Sequence, residues 1–194
     1  ENTKDNKYKK LISRYNNIQM ARKISLNSAY GAIGNQYFRY YDKAIAEGIT
    51  KSGQLSIRWI ENRLNKYLNN ILKTNDDYVI ASDTDSVYLT MDKLVTETIK
   101  SDNVLSKTIN FLDKVASESI EPYITKSYDE LKQYTNAFAN KMFMKREVIA
   151  DKGIWVAKKR YILNVWNSEG ISYNESKLKI MGIEAVKSST PAMC

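Results

Sequence analysis

The sequence predicts an α+β fold with an antiparallel sheet. Three observations lead there. Residues 5–30 and 44–72 carry apolar side chains at helical spacing. The strand-like runs are gathered in 78–91 and 141–185, separated by a helical stretch, instead of alternating with helices one by one. A short run rich in turn-forming residues joins two of them directly, as an antiparallel hairpin requires and a parallel crossover does not.

Taken in order, residues 5–30 read as a helix, with Leu11, Ile12, Tyr15, Ile18 and Arg22 at three-to-four spacing. Gly31 and Gly34 are expected to break it, and Tyr37-Phe38-Arg39-Tyr40-Tyr41 leads out of it. Residues 44–72 form the strongest helix, with Ile49, Gly53, Ile60, Leu64, Tyr67, Leu68, Ile71 and Leu72 along one face. Asn75-Asp76-Asp77 is a turn. Tyr78-Val79-Ile80-Ala81 and Ser86-Val87-Tyr88-Leu89-Thr90-Met91 are the arms of a hairpin, with Val87, Leu89 and Met91 on one face. Ser82-Asp83-Thr84-Asp85 supplies its turn chemistry. Residues 93–138 read as two helices, the second starting at Pro122. Residues 141–150, 154–166 and 177–185 read as strands, with a turn at Gly170.

Length and composition narrow the function. The chain has 194 residues, 43% hydrophobic and 27% charged. That is one domain, or a domain with part of a neighbour, and it is a globular balance. No apolar run approaches the ~20 residues of a membrane helix. The polar start, Glu1 to Lys10, is neither a leader nor an anchor by its composition, so no membrane partner is expected. The single cysteine, Cys194, excludes an internal disulfide. There is no histidine, which excludes Ser-His, Cys-His and His-metal chemistry. Catalysis would fall to carboxylates, lysines, tyrosines or hydroxyls.

The net charge is +8, with 30 basic and 22 acidic residues. Residues 1–25 and 141–161 each hold seven basic and two acidic groups, whereas 96–130 holds four basic and seven acidic. This distribution suggests a basic working face for a polyanion and an acidic face remote from it.

Three local features could carry chemistry. Asp83-Thr84-Asp85 places two carboxylates at a hairpin tip, separated by one residue and so on one side of an extended chain. Hard oxygen donors of this kind suit Mg²⁺, which also takes substrate phosphates; a solvated turn rich in aspartate is the plainer reading of these residues alone. Lys23, Asn27, Tyr30 and Gly31 share one face of a helix. That row could hold a triphosphate at Lys23 and let a base pair slide over Gly31, or it is an ordinary amphipathic helix ending in glycine. Lys158-Lys159-Arg160-Tyr161 follows Trp155 in a strand-like run. Alternation puts Lys159 and Tyr161 on one face, which suits a nucleic-acid backbone. A charged edge strand reads equally from these residues. Glu147 is either a third carboxylate or one half of a surface salt bridge.

Together these residues resemble the family B replicative DNA polymerases, those of T-even-like tailed bacteriophages in particular. Lys23-x3-Asn27-Ser28-x-Tyr30-Gly31 is similar to the family's fingers-helix motif. Ala32-Ile33-Gly34-Asn35 and Phe38-Arg39-Tyr40-Tyr41-Asp42 resemble the phage subgroup. Asp83-Thr84-Asp85-Ser86 resembles the second metal-carboxylate motif, with Ser82 where the family usually has glycine. Lys158-Lys159-Arg160-Tyr161 resembles the primer-gripping strand. Leu178-Lys179-Ile180-Met181-Gly182-Ile183-Glu184 and Ser188-Ser189-Thr190-Pro191 resemble the end of the palm. The family's first catalytic motif, an Asp followed by a Ser-Leu-Tyr-Pro-like run, has no counterpart in the 194 residues.

The resemblance implies that residues 1–43 are the last fingers helix and its return, and that 44–194 are the C-terminal part of the palm. The first fingers helix, the exonuclease and the thumb would lie outside this segment. It implies addition of deoxynucleotides to a primer 3′ end with two Mg²⁺ ions. Asp85 would bridge the ions, Asp83 would support the site and Glu147 would tune it. Lys23 and Asn27 would meet the incoming deoxynucleoside triphosphate, with Tyr30 and Gly31 along the nascent pair. Lys159, Tyr161 and Lys179 would hold the primer-template DNA. The remainder of the polymerase, in the same chain or a split second one, would be a partner, and a sliding clamp would act through regions outside this segment. The setting would be cytoplasmic, in a bacterial host. By itself the segment is expected to be inactive, as a truncated or split piece. Two other readings remain at this level. A metal-dependent nucleotide-sugar transferase would use Asp83-Thr84-Asp85, and a non-enzymatic DNA-binding module would use the basic regions alone.

Overall fold

The computed structural model describes residues 6–99 and 105–184. Ser188-Ser189-Thr190-Pro191 lies outside the described residues. The fold is α+β and its strand pairings are antiparallel, as expected. The chain forms two compact units divided after Gly53, within a helix.

The first unit holds helix α1 (Asn6–Ile33), a tight return over 34–42, and the start of helix α2 (Lys43–Leu72). Helix α1 does not break at Gly31 but runs on to Ile33. A lone glycine lowers helix stability by only about 1 kcal/mol, less than the neighbouring turns supply. The helix stops one residue later, and the Gly34 amide still donates to the Tyr30 carbonyl at 3.2 Å. Asp42 starts α2 as an N-cap, its carboxylate accepting the Ile45 amide at 3.0 Å. The Asp42 amide donates back to the Ile33 carbonyl at 3.0 Å, and the Tyr30 and Thr50 hydroxyls are bonded at 2.8 Å.

The second unit begins with the rest of α2. Ser56, Ile60, Leu64 and Leu68 form its buried stripe, one every four residues. Ile71, expected on that face, is 51% exposed, because the stripe drifts round the helix over several turns. The stripe packs against a second helical run. Helix α4 (Leu105–Val115), a π-turn over Ala116–Ile120 and helix α5 (Glu121–Thr135) follow without a break. Two helices were expected here, the second starting at Pro122. Proline lacks the N–H that an α-turn needs and crowds the carbonyl four residues back. The widened π-turn just before it accommodates that defect without ending the run. A short helix α3 (Asp92–Thr98) precedes them.

Strands β1 (Val79–Asp83) and β2 (Ser86–Leu89) pair as a hairpin. Strands β3 (Val148–Ala157), β4 (Arg160–Ser168) and β5 (Ile171–Met181) form a separate three-stranded sheet in that order. Three boundaries differ from the sequence reading. Residues 141–147 are not strand; β3 and β4 turn at Lys158-Lys159 instead of near residue 152; and β5 begins at Ile171 instead of 177. Length and β-branching mark the strands, but pairing across the sheet sets their ends.

The β1–β2 hairpin lies between two apolar clusters. Val87, Leu89 and Met91 pack on the core of Ile60, Leu64, Val79, Ile120, Ile124, Tyr128 and Leu131. Tyr88, pointing the other way, packs on Tyr161, Leu163 and Val165 of β4 with Trp155 of β3. The alternation of one four-residue strand thus ties the helices to the sheet. Asn65 of α2 anchors the start of the hairpin. Its side-chain oxygen accepts the Tyr78 and Val79 amides at 2.9 and 3.2 Å.

Candidate active site

The hairpin β1–β2 carries the carboxylates, and register decides how. Asp83 pairs with Ser86, so Asp83 ends β1 and only Thr84 and Asp85 form the turn. Thr84 has φ +53, and the Asp85 amide donates to the Asp83 carbonyl at 2.6 Å. The left-handed residue breaks the alternation that would set both carboxylates on one side of an extended chain. Asp83 is half-buried and Asp85 is exposed. The Thr84 hydroxyl donates to Asp83 Oδ1 at 3.0 Å.

A second turn faces the first. Lys158 and Lys159 join β3 to β4, and Lys159 has φ +63. The expectation that Lys159 and Tyr161 share a strand face is therefore corrected, because Lys159 lies in the turn where alternation is lost. The structure nevertheless brings both to Asp83. Lys159 Nζ lies 3.9 Å from Asp83 Oδ1. Tyr161 is buried, and its ring meets Tyr88 edge-on at 5.4 Å between centroids. Trp155 meets Tyr88 the same way at 5.4 Å. Gly153 makes room for that indole, since a Cβ there would lie 2.7 Å from the ring. These residues line a cleft of about 310 Å³ whose wall includes Asp83, Tyr88, Trp155, Lys158, Lys159 and Tyr161.

The Tyr161 phenol is pushed well above its ordinary range, first by burial, then by its hydrogen bond with Tyr88 and by the charges of Glu147 and Asp83. It is a neutral donor at physiological pH. Glu147 stands just before β3, and its carbonyl accepts the Glu169 amide at 2.7 Å. Its carboxylate pairs with Lys179 of β5. Glu147 thus makes the surface ion pair that its residue type suggested, and the same pair engages the Lys179 ammonium. Arg146 fixes the segment just before Glu147. Its guanidinium pairs with Asp113 of α4 and donates to Asn167 Oδ1 at 2.8 Å, and its amide donates to Glu121 Oε1 at 2.9 Å.

Within the second unit Asp83, Lys159 and Tyr161 line one cleft, Glu147 pairs with Lys179, and the charges of Glu147 and Asp83 both act on Tyr161. Lys23, Asn27, Tyr30 and Gly31 belong to α1 in the first unit and are all exposed. Tyr88, Trp155 and Arg146 were missed from the sequence. Tyr88 was detectable as the residue alternating against Val87 and Leu89; the partners of Arg146 are 21 and 33 residues away and left no local trace. Among the described residues no group of three or more acidic, cysteine or histidine side chains is placed to hold a metal ion. Asp83 and Asp85 supply hard oxygen donors, and Mg²⁺ commonly uses one or two carboxylates with substrate phosphates. The pair fits a part of such a site.

A carboxylate hairpin thus faces a basic turn over an aromatic cleft, on an α+β frame. Comparison with known proteins identifies the family. The family model for DNA polymerase family B matches residues 1–191. The DNA-directed DNA polymerase of Escherichia phage RB69 is 46% identical over 183 residues, covering 89% of this chain and 20% of that protein. That of Enterobacteria phage T4 is 43% identical over 189 residues, covering 91% and 21%. A DNA polymerase beta of African swine fever virus is 26% identical over 176 residues, covering 87% and 14%. The chain belongs to DNA polymerase family B, and within it is similar to the RB69 and T4 polymerases. It spans about one fifth of the length of those two relatives. Among the described residues no helix is long and apolar enough to cross a membrane.

Proposed function

We propose that this chain is the C-terminal part of the palm, with one fingers helix, of a template-directed DNA polymerase. The observation that carries the reading is the meeting of Asp83 at the end of β1, Lys159 of the facing turn and Tyr161 of β4 around one cleft. Family membership supports it and leaves the nucleotide-sugar alternative without support.

In the proposed reaction the primer 3′-hydroxyl attacks the α-phosphate of an incoming deoxynucleotide, and pyrophosphate leaves. Asp85 and Asp83 would hold Mg²⁺, together with a carboxylate from elsewhere in the polymerase. Two such ions, when bound, stabilise the attacking and leaving oxygens. Glu147 acts from nearby and balances Lys179. Lys159 offers a cation to the primer backbone, and Tyr161, held protonated, offers an O–H donor from a desolvated wall. Lys179 extends the basic grip along β5. Lys23 and Asn27 on α1 meet the triphosphate, and Tyr30 and Gly31 border the base pair. The partners are primer-template DNA, deoxynucleoside triphosphates and the rest of the polymerase, with a clamp acting through other regions, in the host cytoplasm.

The test is primer extension by the longer polypeptide containing this segment. Asp85→Asn is expected to lower kcat by roughly a thousandfold, in line with loss of a group that stabilises the transition state. Extension indifferent to Asp85→Asn would overturn the reading. The 194-residue chain alone should not extend a primer. Steady Mg²⁺-dependent extension by it, abolished by Asp85→Ala, would overturn that part. Salt-sensitive DNA binding by the longer polypeptide without any extension would favour a non-enzymatic DNA-binding module.

A further inference from the structure

Gly182 follows β5 with φ +66, and a Cβ at this position would lie 2.2 Å from the Lys159 carbonyl oxygen and 3.2 Å from its carbon. Ordinary contact begins at 3.4 Å, so any side chain here moves one backbone by about an ångström or more. The obstacle is main chain, which cannot swing aside as a flexible side chain would. Two neighbours hold the pair together. Met181 is registered against Tyr161, and the Arg160 guanidinium pairs with Glu184 just beyond Gly182. The Lys158-Lys159 turn thus rests through the Lys159 carbonyl on the bare backbone of Gly182, while the Lys159 ammonium reaches Asp83.

We infer that Gly182 is a positioning residue, which sets the height of the Lys158-Lys159 turn over Asp83 and so places the Lys159 ammonium for the primer backbone. The DNA half of this inference rests on the function proposed above; the geometric half does not. Gly182 touches neither substrate nor metal in this scheme and acts only through Lys159.

The fold contains its own control. Gly170 has φ +87 but nothing within 4 Å of a Cβ. A substitution there brings the backbone strain without the collision. Asparagine tolerates a left-handed backbone better than most residues, so Gly182→Asn and Gly170→Asn isolate the steric effect, with Gly182→Ala as a second probe. In the 194-residue chain, backbone amide NMR shifts are read first. Gly182→Asn should shift Lys158, Lys159 and Tyr161 and leave the amides of α5 in place; Gly170→Asn should not move them. Affinity for a primer-template duplex, measured by fluorescence anisotropy across salt, is read second. Gly182→Asn should weaken it about fivefold, the scale of one exposed ion pair, and should add almost nothing to Lys159→Ala. Gly170→Asn should leave the affinity unchanged.

Unmoved Lys158 and Lys159 amides would overturn the inference. So would loss of the whole fold in both Gly182 variants while Gly170→Asn stays folded, because the contact would then serve the domain and not the turn. Moved amides with unchanged DNA affinity would leave the geometric role standing and remove the primer-gripping function proposed for Lys159.

Discussion

Lys159, on the turn between β3 and β4, stands opposite Asp83 at the end of β1, Nζ 3.9 Å from Oδ1, though the two are 76 positions apart in the chain. The lysine side chain is 64% exposed and the aspartate 27%. An ion pair this open contributes at most about 1 kcal/mol to stability. Its interest is functional, since a phosphate can take the lysine and a cation the carboxylate.

Removing the lysine should therefore be visible in DNA binding and nearly silent in stability. Lys159→Ala is expected to weaken primer-template affinity about fivefold and to lower the slope of log affinity against log salt by about one. The loss should be uniform across DNA sequences, because the contact is to backbone. An unchanged salt slope would remove Lys159 from the interface.

Tyr161 should make stability fall in alkaline solution. Its phenol is raised above the ordinary value of 10.0, chiefly by burial. Above about pH 10 the unfolded chain loses this proton while the folded chain keeps it, so the unfolded state binds fewer protons and stability declines as pH rises. Below that pH the contribution is constant. Urea midpoints measured from about pH 9 upward should fall less steeply in Tyr161→Phe than in the parent. Tyr128, also raised by burial, will keep part of the decline. Parallel curves would mean that Tyr161 is open to solvent.

Leu64 is 1% exposed, and its cluster joins α2, α5 and β1. Leu64→Ala should destabilise the second unit by about 2–5 kcal/mol through lost burial and the cavity left behind. The readout is the chemical-denaturation midpoint. A shift below about 1 kcal/mol would contradict this packing.

Arg146 bridges α4 and β4 beside Glu147. Arg146→Ala is expected to destabilise by about 1–3 kcal/mol, as a charged hydrogen-bonding group is withdrawn from a largely buried position. Arg146→Lys should rescue little, since an ammonium cannot span Asp113 and Asn167 as a planar fork does. Denaturant titrations of both variants check this, and full rescue by lysine would reduce the contact to simple charge.

Much of the frame was legible because its signals are local. The period of α2 shows in Ile60, Leu64 and Leu68. The alternation of β2 shows in Val87 and Leu89, and the turn in Thr84-Asp85. Asp83, Lys159 and Tyr161 could be singled out by residue type and by resemblance. Their meeting could not be read, because it depends on Tyr88 docking the hairpin on a sheet whose strands begin 60 residues further along.

The sequence by itself determined the residue types of the site, the absence of histidine chemistry, and membership of a polymerase family. Tertiary structure alone decided that Lys159 belongs to a turn instead of a strand face. It alone decided that Glu147 spends its charge on Lys179, and that Gly182 must be bare. The physical reason is one of range. Periodicity and turn propensity act over a few residues and leave a trace in the chain. Register, close backbone approach and ion pairing are settled only when distant segments compete for the same space.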